Sequence, residues 1–170
     1  MPCSEDDARG VSLYSNHKHL NKYMKTNEAT KRQMKKWEGL RLFAYLDTGG
    51  VPTIGFGHTK DVRMGDAITL KQAEQYFEQD IAIFEKEINS LGVELEQCQF
   101  DALVSFCYNI GISKFRRSTL CRYVKMGMNA NYIAAEFHKW VHCNGGVLEG
   151  LKKRREWEAQ KYLGRSPLPA

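Results

Sequence analysis

WEGLRLFAYLDTGGVPTIGFGH, residues 37–58, carries the decisive local signals of this chain. Glu38 is followed at once by Gly39, a residue type that ends helices because it takes left-handed backbone without a Cβ clash. Residues 40–46 are rich in Leu, Phe and Tyr and suit a short strand. Asp47-Thr48-Gly49-Gly50 is strong turn punctuation, and Val51–Phe56 reads as the returning strand. The expected unit is therefore helix, strand, turn, strand. It folds Asp47 and Thr53 back to one end, facing the helix that delivers Glu38.

Two acids and a hydroxyl in that arrangement suit acid–base cleavage of a glycosidic bond. One carboxylic acid protonates the leaving oxygen while a second group handles water or the developing positive charge. Glu38 stands at the negative end of its helix dipole, which favours the protonated acid that a donor must be. The spacing alone serves equally well an ordinary helix-end acid and an Asp that only shapes its turn.

More of the chain narrows the choice. Glu38-x8-Asp47-x5-Thr53, followed by Ile54-Gly55-x-Gly57-His58, resembles the catalytic signature of the phage-type lysozymes, the family 24 glycoside hydrolases. Further motifs resemble that family in the same order. They are Ile68-Thr69-x3-Ala73-Glu74-x2-Phe77-x-Gln79-Asp80, the run from Gln99 to Gly111, Phe115-x2-Ser118-Thr119-Leu120, Glu136-Phe137-x2-Trp140, and Gly150-Leu151-x2-Arg154-Arg155-x2-Glu158. The likeness spans roughly residues 30–164.

The resemblance implies a muramidase that hydrolyses the β-1,4 bond between N-acetylmuramic acid and N-acetylglucosamine in peptidoglycan, with inversion. Glu38 would be the general acid. Asp47 and Thr53 would position or activate the water, or stabilise the oxocarbenium-like centre. Gly57, Tyr108, Asn109 and Ser118 would line the substrate cleft, although Tyr108 also fits a purely apolar stripe and Gly57 a strand end needing special backbone. The family pattern pairs His58 with Asp80 as an ion pair between loop and long helix. It also has Arg154 or Arg155 reach an acid between the lobes, Glu38 included.

Composition is ordinary for a soluble globular protein. The chain has 170 residues, 42% hydrophobic and 26% charged, with a formal net charge of +5. That length supports one domain with a real core, and the charge favours an anionic polymer or surface. No early apolar run suits a signal-peptide core and no later stretch is long enough to span a bilayer. The expectation is synthesis in the cytoplasm without a signal peptide and action on peptidoglycan in the periplasm or outside the producing cell. A lysis pore, a secretion machine or a lost fusion partner would each serve as the route. The glycan strand is the expected partner of a monomer, and a delivery or immunity partner leaves no signature. No cofactor is required.

Five cysteines, Cys3, Cys98, Cys107, Cys121 and Cys143, make an odd number with no close pair. Cys98 and Cys107 on one helix stand about 13 Å apart, beyond disulfide reach. Reduced, partly buried thiols are expected. His138 and His142 stand four positions apart beside Cys143, yet no pair has zinc-finger spacing and no metal site is expected.

The periodicity divides the chain into a polar arm over 1–26, with a short helical turn around Leu13–Tyr23, a catalytic domain over 27–164, and a frayed tail over 165–170. Asn27, or less strongly Thr30 with Gln33, caps a first helix reaching Glu38. Residues 59–67 form an exposed loop. Thr69 and Gln72 open a long helix with Ala73, Phe77, Ile81, Phe84 and Ile88 on one face, ending before Gly92. Helices follow from Leu95 to Gly111, over Thr119–Met126, from Asn129 through Val141, and from Leu148 or Leu151 to Leu163. The class is α+β: a small N-terminal hairpin lobe and a larger helical lobe, joined by the long helix across a cleft.

Two other functions are weighed. A catalytically silent peptidoglycan-binding module would need no intact Glu38, Asp47 and Thr53. A nucleic-acid binder using Lys152-Lys153-Arg154-Arg155 lacks a docking motif, and helical residues in a row spread around the whole cylinder. The turn departs from the family pattern at Gly50 and Pro52, and Pro52 removes a strand donor next to Thr53.

Overall fold

Asn27 starts the described helical order. The computed structural model describes residues 23–143 and 146–165, so the helical turn expected around Leu13–Tyr23 lies almost wholly outside the described residues. Helix α1 (Glu28–Glu38) is capped by the Asn27 side chain, which accepts from the Thr30 N–H, and it closes on Gly39 at φ +70°. Ahead of it, residues 24–27 lie pinned to the far end of the molecule. Met24 N–H donates to Asn89, Thr26 N–H to Glu85 and Asn27 N–H to Asp101. Buried carboxylates at 85 and 101 are thereby satisfied by backbone donors, with Lys25 and Lys161 nearby.

Strands β1 (Arg41–Leu46) and β2 (Pro52–Gly55) form the expected antiparallel hairpin, with Tyr45 opposite Thr53 and Leu46 opposite Pro52. Pro52 is the first residue of its strand, where a missing donor is tolerated. After β2 the chain reverses tightly: Ile54 and His58 exchange both backbone hydrogen bonds, at 2.8 and 2.9 Å. Residues 59–67 form a largely exposed loop, as expected. Ala44 N–H donates to Asp66, Ile68 N–H to Leu42, and Phe43 bridges Ala67, so its end lies along β1.

Helix α2 (Leu70–Asn89) opens on the predicted capping box of Thr69 and Gln72 and buries Ala73, Phe77, Ile81 and Ile88. Its 20 residues span about 30 Å, enough to join the two lobes. Helix α3 (Gln97–Ile110) runs through the core, with Phe100 to Cys107 all buried. Helices α4 (Ile112–Arg117), α5 (Thr119–Lys125) and α6 (Ala130–Phe137) wrap around it, and α7 (Glu149–Tyr162) packs on α3 and α6. Phe106 sits at the centre, with the rings of Phe115, Phe137 and Trp140 edge-on around it.

Three elements differ from expectation. Helix α4 was not foreseen, because only Phe115 of its six residues is buried and no period shows. Helix α6 stops at Phe137 instead of running through Val141. A short hairpin follows, β3 (His142–Cys143) with β4 (Gly146–Val147), where no strand is expected. His138 and His142 therefore do not share a helix face, and His138 pairs with Glu156 at 3.0 Å. Cys107 and Cys121 are buried free thiols and Cys98 is a half-buried one, while Cys3 lies outside the described residues.

Candidate active site

Glu38 is the last residue of α1 because Gly39 lets the chain leave the helix at once; its side chain is 20% exposed. Its Oε1 accepts from Arg154 Nη1 at 2.7 Å. Arg154 comes from α7, 116 positions away, and its guanidinium lies 4.9 Å over the Trp37 ring. Trp37 in turn meets Trp157 edge to face at 5.0 Å, which fixes the end of α1 against α7.

Behind this pair runs a buried relay of charge. Arg154 also donates to the Ser105 carbonyl and to Glu158 Oε1. Ser105 Oγ donates to the same Glu158 oxygen at 2.7 Å. Arg155, fully buried, reaches Asn109 Oδ1 at 2.7 Å and lies 2.9 Å from Glu158 Oε2, out of hydrogen-bond alignment at its Nε. Its guanidinium stacks 4.9 Å over Phe106. Burial lowers the Arg155 pKa, and Glu158 works against that shift. Two arginines and the acids Glu38 and Glu158 thus balance, as buried ion networks must. Of the two arginines left open by sequence, Arg154 is the one on Glu38.

The other Glu38 oxygen faces open backbone. Gly57 has φ +92°, and a Cβ built there would sit 3.7 Å from Glu38 Oε2 and 4.0 Å from the Tyr108 hydroxyl. The left-handed backbone is what requires glycine here, since a Cβ would meet both atoms at ordinary van der Waals distance. Tyr108 donates to the Phe56 carbonyl at 2.9 Å and packs on Phe77 and Phe84. Burial, then the charges of Glu38 and Asp80, push its phenol above the usual range, so it stays neutral. Tyr108 thus both completes the apolar stripe and holds the turn that carries Gly57. Asn109 is exposed at the end of α3, with its oxygen held by Arg155.

Asp47 occupies the hairpin tip. Its Oδ1 accepts from the Gly49 and Val51 N–H groups at 2.8 Å each, an Asx turn. Its Oδ2 makes no hydrogen bond among the described residues and is the oxygen left for other work. Thr53 is buried, and its hydroxyl donates to the Val51 carbonyl, the oxygen that also accepts the Asp47 N–H. Asp47 and Thr53 are therefore tied through Val51. Glu38 lies at the other end of the hairpin, beside Gly57 past the Gly55 end of β2, and not at the end that carries Asp47 as the sequence suggested. The three residues run along one hairpin from base to tip.

Ser118 is placed differently from its expected role. Its hydroxyl donates to the Phe115 carbonyl and accepts the Cys121 N–H, and the residue is buried. It caps α5 and offers no open hydroxyl. His58 Nδ1 meets Asp80 at 2.8 Å, as expected, and stacks on Tyr76 at 4.4 Å. Sequence reading missed Ser105 and Glu158 as the floor of the site. The spacing of Glu158, four and three positions after Arg154 and Arg155, was the available signal.

Comparison with known proteins now bears on this geometry. The sequence profile described as phage lysozyme matches residues 35–158. The endolysin of Bacillus phage PZA is 40% identical over 148 residues, which cover 85% of this chain and 57% of that relative, so the chain spans little more than half of its length. The solved endolysin from Escherichia coli O157:H7 phage FAHEc1 is 38% identical, with a TM-score of 0.75, covering 86% of this chain and 98% of that one. The muramidase domain of SpmX from Asticaccaulis excentricus is 36% identical, also at a TM-score of 0.75, covering 82% and 97%.

Proposed function

The chain belongs to the phage lysozyme family, and on that premise we propose that it is a muramidase cutting the β-1,4 bond between N-acetylmuramic acid and N-acetylglucosamine in bacterial peptidoglycan. The observation that carries this reading is the Glu38 carboxyl group, with one oxygen held by Arg154 and the other facing Gly57 at the base of the hairpin. The oxygen occupied by Arg154 cannot also carry the proton, so Oε2 is the atom that delivers it to the leaving glycosidic oxygen. Asp47, through its unoccupied Oδ2, takes the proton of the attacking water, and Thr53, beside it near the hairpin tip, orders that water. Gly57, Tyr108 and Asn109 belong to the wall along which the glycan lies, and residues 27–164 form the catalytic unit.

This reading includes inversion, with a water between acid and base in place of a covalent intermediate. The first-formed product is then the α anomer, read by proton NMR, and a β product would reject inversion. Mass spectrometry of the released muropeptides should show addition of water; anhydro sugars would mean a lytic transglycosylase instead.

No helix among the described residues is long and apolar enough to cross a membrane. Peptidoglycan in the periplasm or outside the producing cell is the place of action this reading implies. Clearing of a bacterial suspension by the wild-type protein and by Glu38→Gln tests the assignment. Loss of a general acid should slow clearing by about 10²–10⁴-fold. Equal rates would dismiss Glu38 as the acid, and no clearing by either protein would leave a wall-binding module without turnover.

A further inference from the structure

Between Asp101 and Glu136 the sequence has no acidic residue, while it has Lys114, Arg116, Arg117, Arg122 and Lys125. All five basic side chains fall on α4 and α5 and all are exposed. Arg116 is spoken for: it makes two bonds of 2.6 Å to Glu87, which is itself buried. Among the described residues the other four have no ion-pair partner. Arg116, Arg117, Arg122 and Lys125 line, with Ser118 and Thr119, a shallow groove of about 360 Å³. Unscreened like charges on adjoining turns repel one another, so a surface like this gains free energy by taking up an anion. Helix α4 begins three positions after Asn109, which places the basic face next to the helical wall of the proposed cleft.

The kind of anion follows from what the face lacks. An interfacial membrane helix presents an apolar stripe to lipid. The apolar residues of α5, Leu120, Cys121 and Val124, are buried, leaving Met126 as the exposed apolar side chain of the groove. Single-stranded nucleic acid is held by stacking on open aromatic rings. Here the groove has no aromatic lining, and Tyr123 nearby is half-buried with the Arg122 guanidinium over its ring. Charge without stacking or an apolar face suits a phosphodiester chain with neither bases nor lipid.

We propose that the α4–α5 face docks polyol phosphate chains of the bacterial wall, holding the enzyme on the wall that it cuts. The proposal rests on the muramidase reading for its setting, and its binding test does not. Isothermal titration of the full chain with delipidated polyglycerol phosphate should show binding. Its affinity should fall by roughly 20- to 50-fold between about 50 and 200 mM salt for three to four phosphate contacts. The variant Arg117→Ala/Arg122→Ala/Lys125→Ala, which spares the Glu87 pair, should lose at least about tenfold in affinity. It should keep its rate on phosphate-free glycan oligomers. The charge-preserving Arg117→Lys/Arg122→Lys should still bind.

No binding by the wild type, or equal binding by the triple variant, would overturn the proposal. So would tighter binding to acidic-lipid vesicles or to DNA. If the polymer binds through these residues but no glycan is cut, the docking face stands and the muramidase reading falls.

Discussion

Gly57 shows how much rests on one missing methyl. Alanine there would force a side chain into left-handed backbone, at about 1–2 kcal/mol, and set its Cβ 3.7 Å from Glu38 Oε2. Gly57→Ala should therefore unfold at slightly lower urea and lose on the order of 10²-fold in kcat, since small misplacements at the reacting bond are costly. A variant with full activity would move the glycan away from this turn. Arg154 makes the complementary case. Its fork serves Glu38, Ser105 and Glu158 at once, and Arg154→Lys keeps the charge but can no longer span all three. The expected loss is about 1–3 kcal/mol in urea denaturation, with a changed pH–rate profile because the partner of the acid has moved.

At the scale of elements, local chemistry explains most boundaries. The caps at Asn27, Thr69 and Ser118 each satisfy a first-turn donor. Ser118→Ala should cost about 0.5–2 kcal/mol of stability and leave hydrolysis unchanged, since its hydroxyl already serves the end of α5. Reduced kcat with unchanged stability would restore Ser118 to the cleft wall. What local chemistry could not supply was α4 and the end of α6. Six residues with one buried side chain carry no period, and Trp140 reaches Phe106 from outside a helix as well as it would from inside one.

Across the whole molecule, burial sets the response to alkali. Cys107 and Cys121 are raised by burial, Tyr108 likewise, and Tyr162 is pushed up to about 12. Below about pH 8.5 these groups are neutral folded or unfolded, so their contribution is fully present. Above it the unfolded chain releases protons that the folded chain retains, and stability falls with rising pH. Lys31, lowered by its own desolvation but raised on balance by Glu78 and Glu28, loses its contribution in the same direction at higher pH. Cys107 alone should account for about 2 kcal/mol between pH 7.5 and 10, seen as a lower urea midpoint. Cys107→Ala should flatten that dependence, and an unchanged slope would mean that the thiol ionises inside the fold.

The sequence by itself determined the hairpin, the place of Glu38 at a helix end and the long capped α2, because glycines, turn residues and caps act on neighbours a few positions away. It also determined the His58–Asp80 contact, through likeness to a family. Only tertiary structure decided that Arg154 and not Arg155 holds Glu38. That outcome depends on which face of α7 meets α1, which is set by packing among residues more than a hundred positions apart, where no local rule reaches.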